Sequence, residues 1–133
     1  MSAASNYLEN KILDHVIGGS DYTRPATIYF ALFTVAPSDA GGGTEVSGNG
    51  YARVAMTNNS TNFPAASGGS KTNAVAVVFP TATGNWGTVS HYGVFDASSG
   101  GNLIVHGAMT TAKLVENGDT ASYPVSSFSL TVS

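Results

Sequence analysis

The chain has 133 residues and no cysteine, which excludes disulfide frameworks, thiolate nucleophiles, zinc fingers and iron–sulfur ligation. Five Lys and Arg against eight Asp and Glu give a formal net charge of −3, so no basic stripe is available for a nucleic acid or an anionic membrane. Charged residues make up 10% of the chain, against about 25% in ordinary soluble domains, so Ser, Thr, Asn and Gly must build the polar surface. The length predicts a single domain over residues 1–133, and no apolar run is long enough for a membrane helix.

An amphipathic helix is predicted near the start of the chain, at about residues 5–17. Apolar residues recur there at spacings of three to five positions from Leu8 to Ile17, with polar residues between them. Ser2 or Ser5 can serve as the N-cap, and the pair Gly18–Gly19 supplies a left-handed stop. Charged residues interrupt any apolar core that a secretory signal would need, so we expect no such signal.

After the helix the apolar period changes to two, and β-branched and aromatic residues become frequent, which predicts β-strands. The first run should be buried on both faces, and the last should alternate, with Phe128, Leu130 and Val132 on one side. Turns rich in Gly and Asn separate the runs, and Thr57–Ser70 is expected to be a long loop. The predicted strands are Thr27–Thr34, Tyr51–Thr57, Ala74–Phe79, Thr88–Phe95, Asn102–Thr110, a short run around Thr120–Tyr123, and Ser127–Val132.

The pattern predicts an all-β fold, because short strands follow one another without helical patterns between them. We expect an antiparallel β-sandwich of jelly-roll type, with about seven or eight strands and one short N-terminal α-helix. The residues expected to form most of the core are Phe30, Leu32, Val77, Phe79, Val94, Phe95, Phe128 and Leu130.

The histidines are the first candidates for chemistry. His91 and His106 lie in predicted strands, and a metal site or a small hydrolase would need Asp96 beside them. Nothing in the spacing brings these residues together, and no nucleophile elbow follows a strand. Hydrogen-bonded strand histidines are therefore the preferred interpretation, and we predict no catalytic residue, no cofactor and no metal site.

Aromatic side chains are the candidates for recognition. Trp86 lies in a predicted turn, where it can stack on a sugar or partner, or fold back as a cap over the core. Tyr22, Tyr51 and Tyr92 allow the same two interpretations. The predicted partner contacts, which include two helix residues, are Leu8, Ile12, Tyr22, Tyr51, Trp86 and Tyr92.

A series of short motifs from the helix to about Asp119 resembles a family of small virion proteins of tailed bacteriophages, described as tail-fibre-like and similar to capsid cement (decoration) proteins. The motifs are Asn6–His15, Ala31–Thr34, Gly50–Arg53, Phe79–Ala82, Trp86–Val89, His91–Asp96 and Gly101–Leu103. They carry no reacting group, so the resemblance transfers no catalytic residue.

The resemblance implies a non-enzymatic, all-β subunit that is made in the host bacterial cytoplasm and assembles on a phage particle. The leading hypothesis is a cement protein on the capsid exterior that binds the lattice of the major capsid protein and stabilises the head. Copies of the chain itself are the second expected partner, whereas nucleic acid and membrane are not expected. The alternatives are a tail-associated or tail-fibre receptor-binding module that contacts a host glycan, and a small hydrolase that uses His91 or His106 with Asp96.

Overall fold

A computed structural model describes residues 2–132. Within this range the chain forms one α-helix and ten strands, and all strand pairs are antiparallel. The elements are β1 (Ser2–Ala4), α1 (Asn6–Val16), β2 (Thr27–Val35), β3 (Thr44–Glu45), β4 (Val54–Thr57), β5 (Ser70–Thr72), β6 (Val77–Val78), β7 (Gly87–Phe95), β8 (Leu103–Val115), β9 (Ser122–Tyr123) and β10 (Ser129–Thr131).

The main sheet contains six strands in the order β1-β8-β7-β2, with β3 and β4 both pairing along the outer edge of β2. The second layer is made of two separate ribbons, β5–β10 and β6–β9. An all-β sandwich with one short N-terminal helix is thus confirmed, but the jelly-roll topology is not, because the layers are one large sheet and two small ribbons. Each of the seven predicted runs contains a strand. The long loop is also found, since β4 ends at Thr57 and β5 begins at Ser70.

The helix starts as predicted. Ser5 is the N-cap, and its hydroxyl accepts a hydrogen bond from the backbone N–H of Leu8 at 3.2 Å. The same hydroxyl donates to the carbonyl of Leu103 at the start of β8, which ties the helix to the main sheet. Ser2, the other candidate cap, lies instead in β1.

The two faces of the main sheet are covered differently, and we call them the core face and the far face. Phe30 and Leu32 point to the core face, where they are fully buried. The residues that cover this face come from the ribbons and the segments beside them, and they include Phe63, Val77, Phe79, Ala121 and Phe128. Burial of this apolar surface supplies most of the driving force for folding.

The far face carries the alternate residues of β2. Ala31 and Phe33 are buried there, so the prediction that this strand is buried on both faces is confirmed. Phe33 stacks on Phe95 at 6.1 Å between ring centroids. Gly93 lies under these rings, and a Cβ at this position would stand 2.9 Å from Phe33 Cε1 and 3.0 Å from Leu103 Cδ1. A larger residue here would therefore force these side chains to move.

Two of the eight predicted core residues are wrong. Phe95 is only half-buried, because it borders a cavity on the far face, and Leu130 is a half-buried residue that packs against the outside of the core. The predicted alternation at the end of the chain also fails in part, since Phe128 is buried but Val132 is largely exposed. The other six predicted core residues are buried.

Asn73 is a fully buried polar residue that fixes the segment before β10. Its side-chain amide donates to the carbonyls of Val75 and Pro124, and its side-chain oxygen accepts from the backbone N–H of Phe128 at 3.0 Å. These bonds offset the cost of burying the amide and hold the Phe128 ring against the core face.

Candidate functional site

The structure places His91 and His106 on neighbouring strands and on the same side of the main sheet. The register pairs Gly93 with His106, and His91 lies two residues before Gly93 on β7. Each ring has its own partner: His91 Nδ1 lies 2.8 Å from the hydroxyl of Ser90, and His106 Nε2 lies 2.8 Å from the carboxylate of Asp39. The preferred interpretation of hydrogen-bonded strand histidines agrees with these contacts.

Asp96, the acid that a hydrolase or metal site would need, is used in the turn between β7 and β8. Its two carboxylate oxygens accept from the backbone N–H of Asn102 at 2.7 Å and from the side-chain amide of the same residue at 2.9 Å. Among residues 2–132, no group of three or more His, Asp or Glu side chains is arranged to hold a metal ion. The acid thus fixes a hairpin in this structure.

Trp86 folds back onto the core instead of projecting from its turn. Only 6% of the residue is exposed, and the indole N–H donates to the backbone carbonyl of Asn49 at 2.8 Å. This geometry is that of a cap over one end of the core, the second of the two interpretations. A role for Trp86 in contacting a partner stays a prediction.

Tyr51 belongs to the same aromatic cluster. Its ring stacks on Phe79 and meets Trp86 edge-on, at centroid distances of 6.2 and 5.3 Å. Its hydroxyl donates to the Glu45 carboxylate at 2.6 Å and accepts from the backbone N–H of Leu32. Burial, followed by the hydrogen bond to Glu45, raises the pKa of Tyr51 well above its usual value.

The other four predicted contact residues also pack within the subunit. Tyr92 and Leu8 are buried, and Tyr92 meets Phe128 at 4.7 Å between ring centroids. Ile12 and Tyr22 are partly buried and pack beside the core. A contact role for these side chains stays a prediction. Two of them, Leu8 and Tyr22, also line a cavity.

Arg53 closes a cavity on the far face. Its Nε and Nη2 atoms donate to the two carboxylate oxygens of Glu45 at 2.9 and 2.8 Å, and its Nη1 atom donates to the carbonyls of Ala97 and Gly100. The guanidinium lies over the ring of Phe95, with its Cζ atom 3.8 Å from the centroid, and the side chain is 7% exposed. One cation therefore joins β3, the segment before β4 and the β7–β8 turn.

The cavity beside Arg53, which we call the far-face cavity, has a volume of about 620 Å³. Its floor is the apolar group Phe33, Phe95 and Leu103, and glycine-rich loops at 41–43 and 100–101 form its walls. Because Arg53 is paired with Glu45, the cavity presents no free cation from this residue. Arg53 was not among the predicted site residues, although it lies in the Gly50–Arg53 motif.

A second cavity, which we call the basic groove, has a volume of about 660 Å³ and lies between the helix, the segment before β2 and the long loop. Arg24 and Lys71 contribute to its lining, whereas its described lining contains no Asp or Glu. Lys71 Nζ donates to the carbonyls of Phe63 and Pro64 at 3.3 and 3.1 Å, which holds the ammonium group at the groove. The apolar part of the lining includes Leu8, Ile28, Phe63, Val94, Val105 and Leu130.

Within residues 2–132, the single helix is too short and too polar to cross a bilayer. A search of curated proteins gave no match to the chain. A comparison with protein families matched residues 3–131 to the family described as Podophage GP4 fiber I protein gp80. The match covers nearly the whole chain. It confirms the resemblance of the motifs to virion proteins of tailed phages. The chain therefore belongs to this fibre-protein family and is a structural protein of a phage virion.

Proposed function

We propose that this chain is a non-enzymatic subunit of the fibre of a tailed phage and acts by covering and joining surfaces. The observation that carries the proposal is the family match over residues 3–131, whose description is that of a fibre protein. The side chains support it, because groups suited to acid–base chemistry are used within the fold. Glu45 pairs with Arg53, Asp39 with His106, and Asp96 with Asn102.

A structural position in the fibre is better supported than a receptor-binding tip that contacts a host glycan. Aromatic side chains that bind sugars present an open ring face to the ligand, whereas Trp86 is covered and its N–H is already bonded to Asn49. Tyr51 and Tyr92 are likewise packed against Phe79 and Phe128. These contacts favour rigid packing inside the subunit over exposed recognition.

The second candidate is a capsid cement protein that binds the major capsid protein on the exterior of the head. The observation that favours it is the outer edge of the main sheet, where β4 pairs with β2 on one side only among the described strands. An open strand edge can add a strand from another protein through main-chain hydrogen bonds. The low content of charged residues suits such a contact, since few charged side chains would lose their water when the surfaces meet.

Cryo-electron microscopy of purified virions, with the copy number measured by quantitative mass spectrometry, tests both candidates. We expect this subunit in density that projects from the particle as a fibre, at a small copy number relative to the major capsid protein. A copy number comparable with that of the capsid lattice, with density over the joints between capsomers, would instead establish the cement function. Absence of the chain from mature particles would refute both.

A further inference from the structure

The last turn of the helix and the residue after it carry an uncovered apolar patch. Leu13, Val16 and Ile17 are 57%, 70% and 76% exposed, and their spacing of three and four residues places them on one side of the helix. Scattered exposed apolar residues are ordinary in folded proteins, but adjacent ones that share a face indicate a contact surface. We call these three residues the helix patch.

The helix patch is bordered by negative charge. Asp14 lies within it in sequence and is exposed. The C-terminal end of a helix adds partial negative charge from its free carbonyl groups. The patch is thus apolar with an acidic border.

The basic groove has the complementary character. It is apolar inside, and it contains two of the five Lys and Arg residues of a chain whose net charge is −3. Among residues 2–132, neither Arg24 nor Lys71 lies within ion-pairing distance of a carboxylate. A volume of about 660 Å³ has room for several aliphatic side chains and lies in the ordinary range of binding sites.

We propose that the helix patch of one copy of this chain docks into the basic groove of a second copy. The patch and the groove are different surfaces of one molecule, so the contact is head-to-tail: each copy offers one patch and one groove. Such a contact repeats until it closes into a ring or continues as a filament. The inference rests on the proposed function, because a fibre is built from repeated subunits. The contact itself can be tested with the purified protein, without the virion.

Charge reversal in the purified protein tests the contact, with sedimentation velocity as the measurement. The groove variant is Arg24→Glu and the helix variant is Asp14→Lys, both at exposed positions where the fold should tolerate the change. The matched controls are Lys113→Glu and Glu116→Lys, which change the net charge by the same amounts outside both surfaces. We expect the wild-type chain and both controls to self-associate, and each test variant to associate about tenfold more weakly.

Mixing the two test variants provides the sharpest result. The reversed groove of one variant then meets the reversed patch of the other, so we expect an equimolar mixture to recover most of the association that each variant has lost. Leu13→Ser with Val16→Ser should abolish self-association, because the apolar part of the patch is missing. Its groove is intact, so mixing it with Arg24→Glu, whose patch is intact, should give one-to-one pairs and no longer assemblies, whereas mixing it with Asp14→Lys should give no association.

Three results would overturn the proposal: a wild-type chain that stays monomeric at high concentration, controls that weaken association as much as the test variants, or a mixture that does not recover. None of these depends on where the protein lies in the virion. A capsid location would refute the fibre function and leave the contact standing, so the two failures are distinguishable.

Discussion

The two faces of the main sheet are buried by different means. On the core face, aromatic and aliphatic side chains from the second layer meet Phe30 and Leu32, and the Phe128 ring lies 4.8 Å from Phe30. On the far face, a smaller apolar group is covered by the guanidinium of Arg53 and by glycine-rich loops. The first face is closed by hydrophobic burial, whereas the second is closed by a planar cation and its hydrogen bonds.

This difference explains how the far face keeps a cavity of about 620 Å³ directly over its apolar group. Apolar side chains without directional bonds can interdigitate until little space remains. A guanidinium must keep the directions of its hydrogen bonds to Glu45, Ala97 and Gly100, so it fixes the loops at a set distance from the sheet. We expect substitutions on the two faces to differ in size and in kind.

The largest effect should come from the core face. Phe128→Ala removes a fully buried ring, so we expect the free energy of unfolding to fall by about 3–5 kcal/mol. Phe95→Ala on the far face is the matched control, and its half-buried ring should cost about 1 kcal/mol. Urea denaturation measures both, and equal losses would show that the two faces are not built differently.

The next effect tests the cation on the far face. Arg53→Ala leaves the carboxylate of Glu45 without its partner, and we expect a loss of about 3 kcal/mol, the lower end for a buried pair because Glu45 is partly exposed. Arg53→Lys keeps the charge but cannot reproduce the bidentate geometry, so it should recover only part of the loss. Arg24→Ala, at an exposed cation, should change stability by less than about 0.5 kcal/mol. A comparable loss there would contradict the assignment.

A smaller effect is expected where the far-face rings approach the backbone. Gly93→Ala introduces a Cβ only 2.9 Å from the Phe33 ring, and such overpacking costs about 1–3 kcal/mol. Phe33→Leu removes the nearest of the atoms that the Cβ meets, so the double variant should lose less stability than the sum of the two single variants. Thermal denaturation of the single and double variants is the measurement, and a double variant that is simply additive would disprove the close contact.

The smallest effect near neutral pH, and one that grows only in alkali, concerns the tyrosines. Burial raises the pKa of Tyr92 and Tyr123. At Tyr51, burial and the hydrogen bond to Glu45 both raise the pKa. Folding therefore favours the neutral phenol. The stability that this preference contributes is fully present below about pH 10, and it is lost as the pH rises through the raised folded-state pKa values.

Melting temperatures measured across the alkaline range test this, and Tyr123→Phe should make the alkaline loss less steep, since burial is the cause of its shift. An unchanged slope would show that Tyr123 is exposed in solution.

The apolar periodicity was sufficient to predict those helices and strands that contain a clear pattern of apolar residues. The helix and its Ser5 cap, and the seven runs that contain strands, follow from local spacing and from β-branched and aromatic residues. The short strands β1, β3 and β5 were not predicted, because they consist largely of Ser, Thr, Ala and charged residues with no apolar pattern. They become strands because they pair with β8, β2 and β10, and the partners of β1 and β5 are distant in sequence.

The far face could not be predicted for a related reason. The adjacent residues Val94 and Phe95 are both apolar, and nothing local tells which face the second layer will cover. The partners of Arg53 lie at positions 45, 97 and 100, so no window of sequence contains the contact. The helix patch is visible in the sequence as apolar residues, but only the structure shows that they remain uncovered.

The position of β1 also constrains when the protein can fold during synthesis. Residues 2–4 are synthesised well before residues 105–107 of β8, with which they pair, and before Thr131, which bonds to Ser2 through both its N–H and its hydroxyl. The strand β1 therefore cannot pair until β8 has been made. A chain stalled before β8 would expose β1 and the helix together, without the sheet on which both depend.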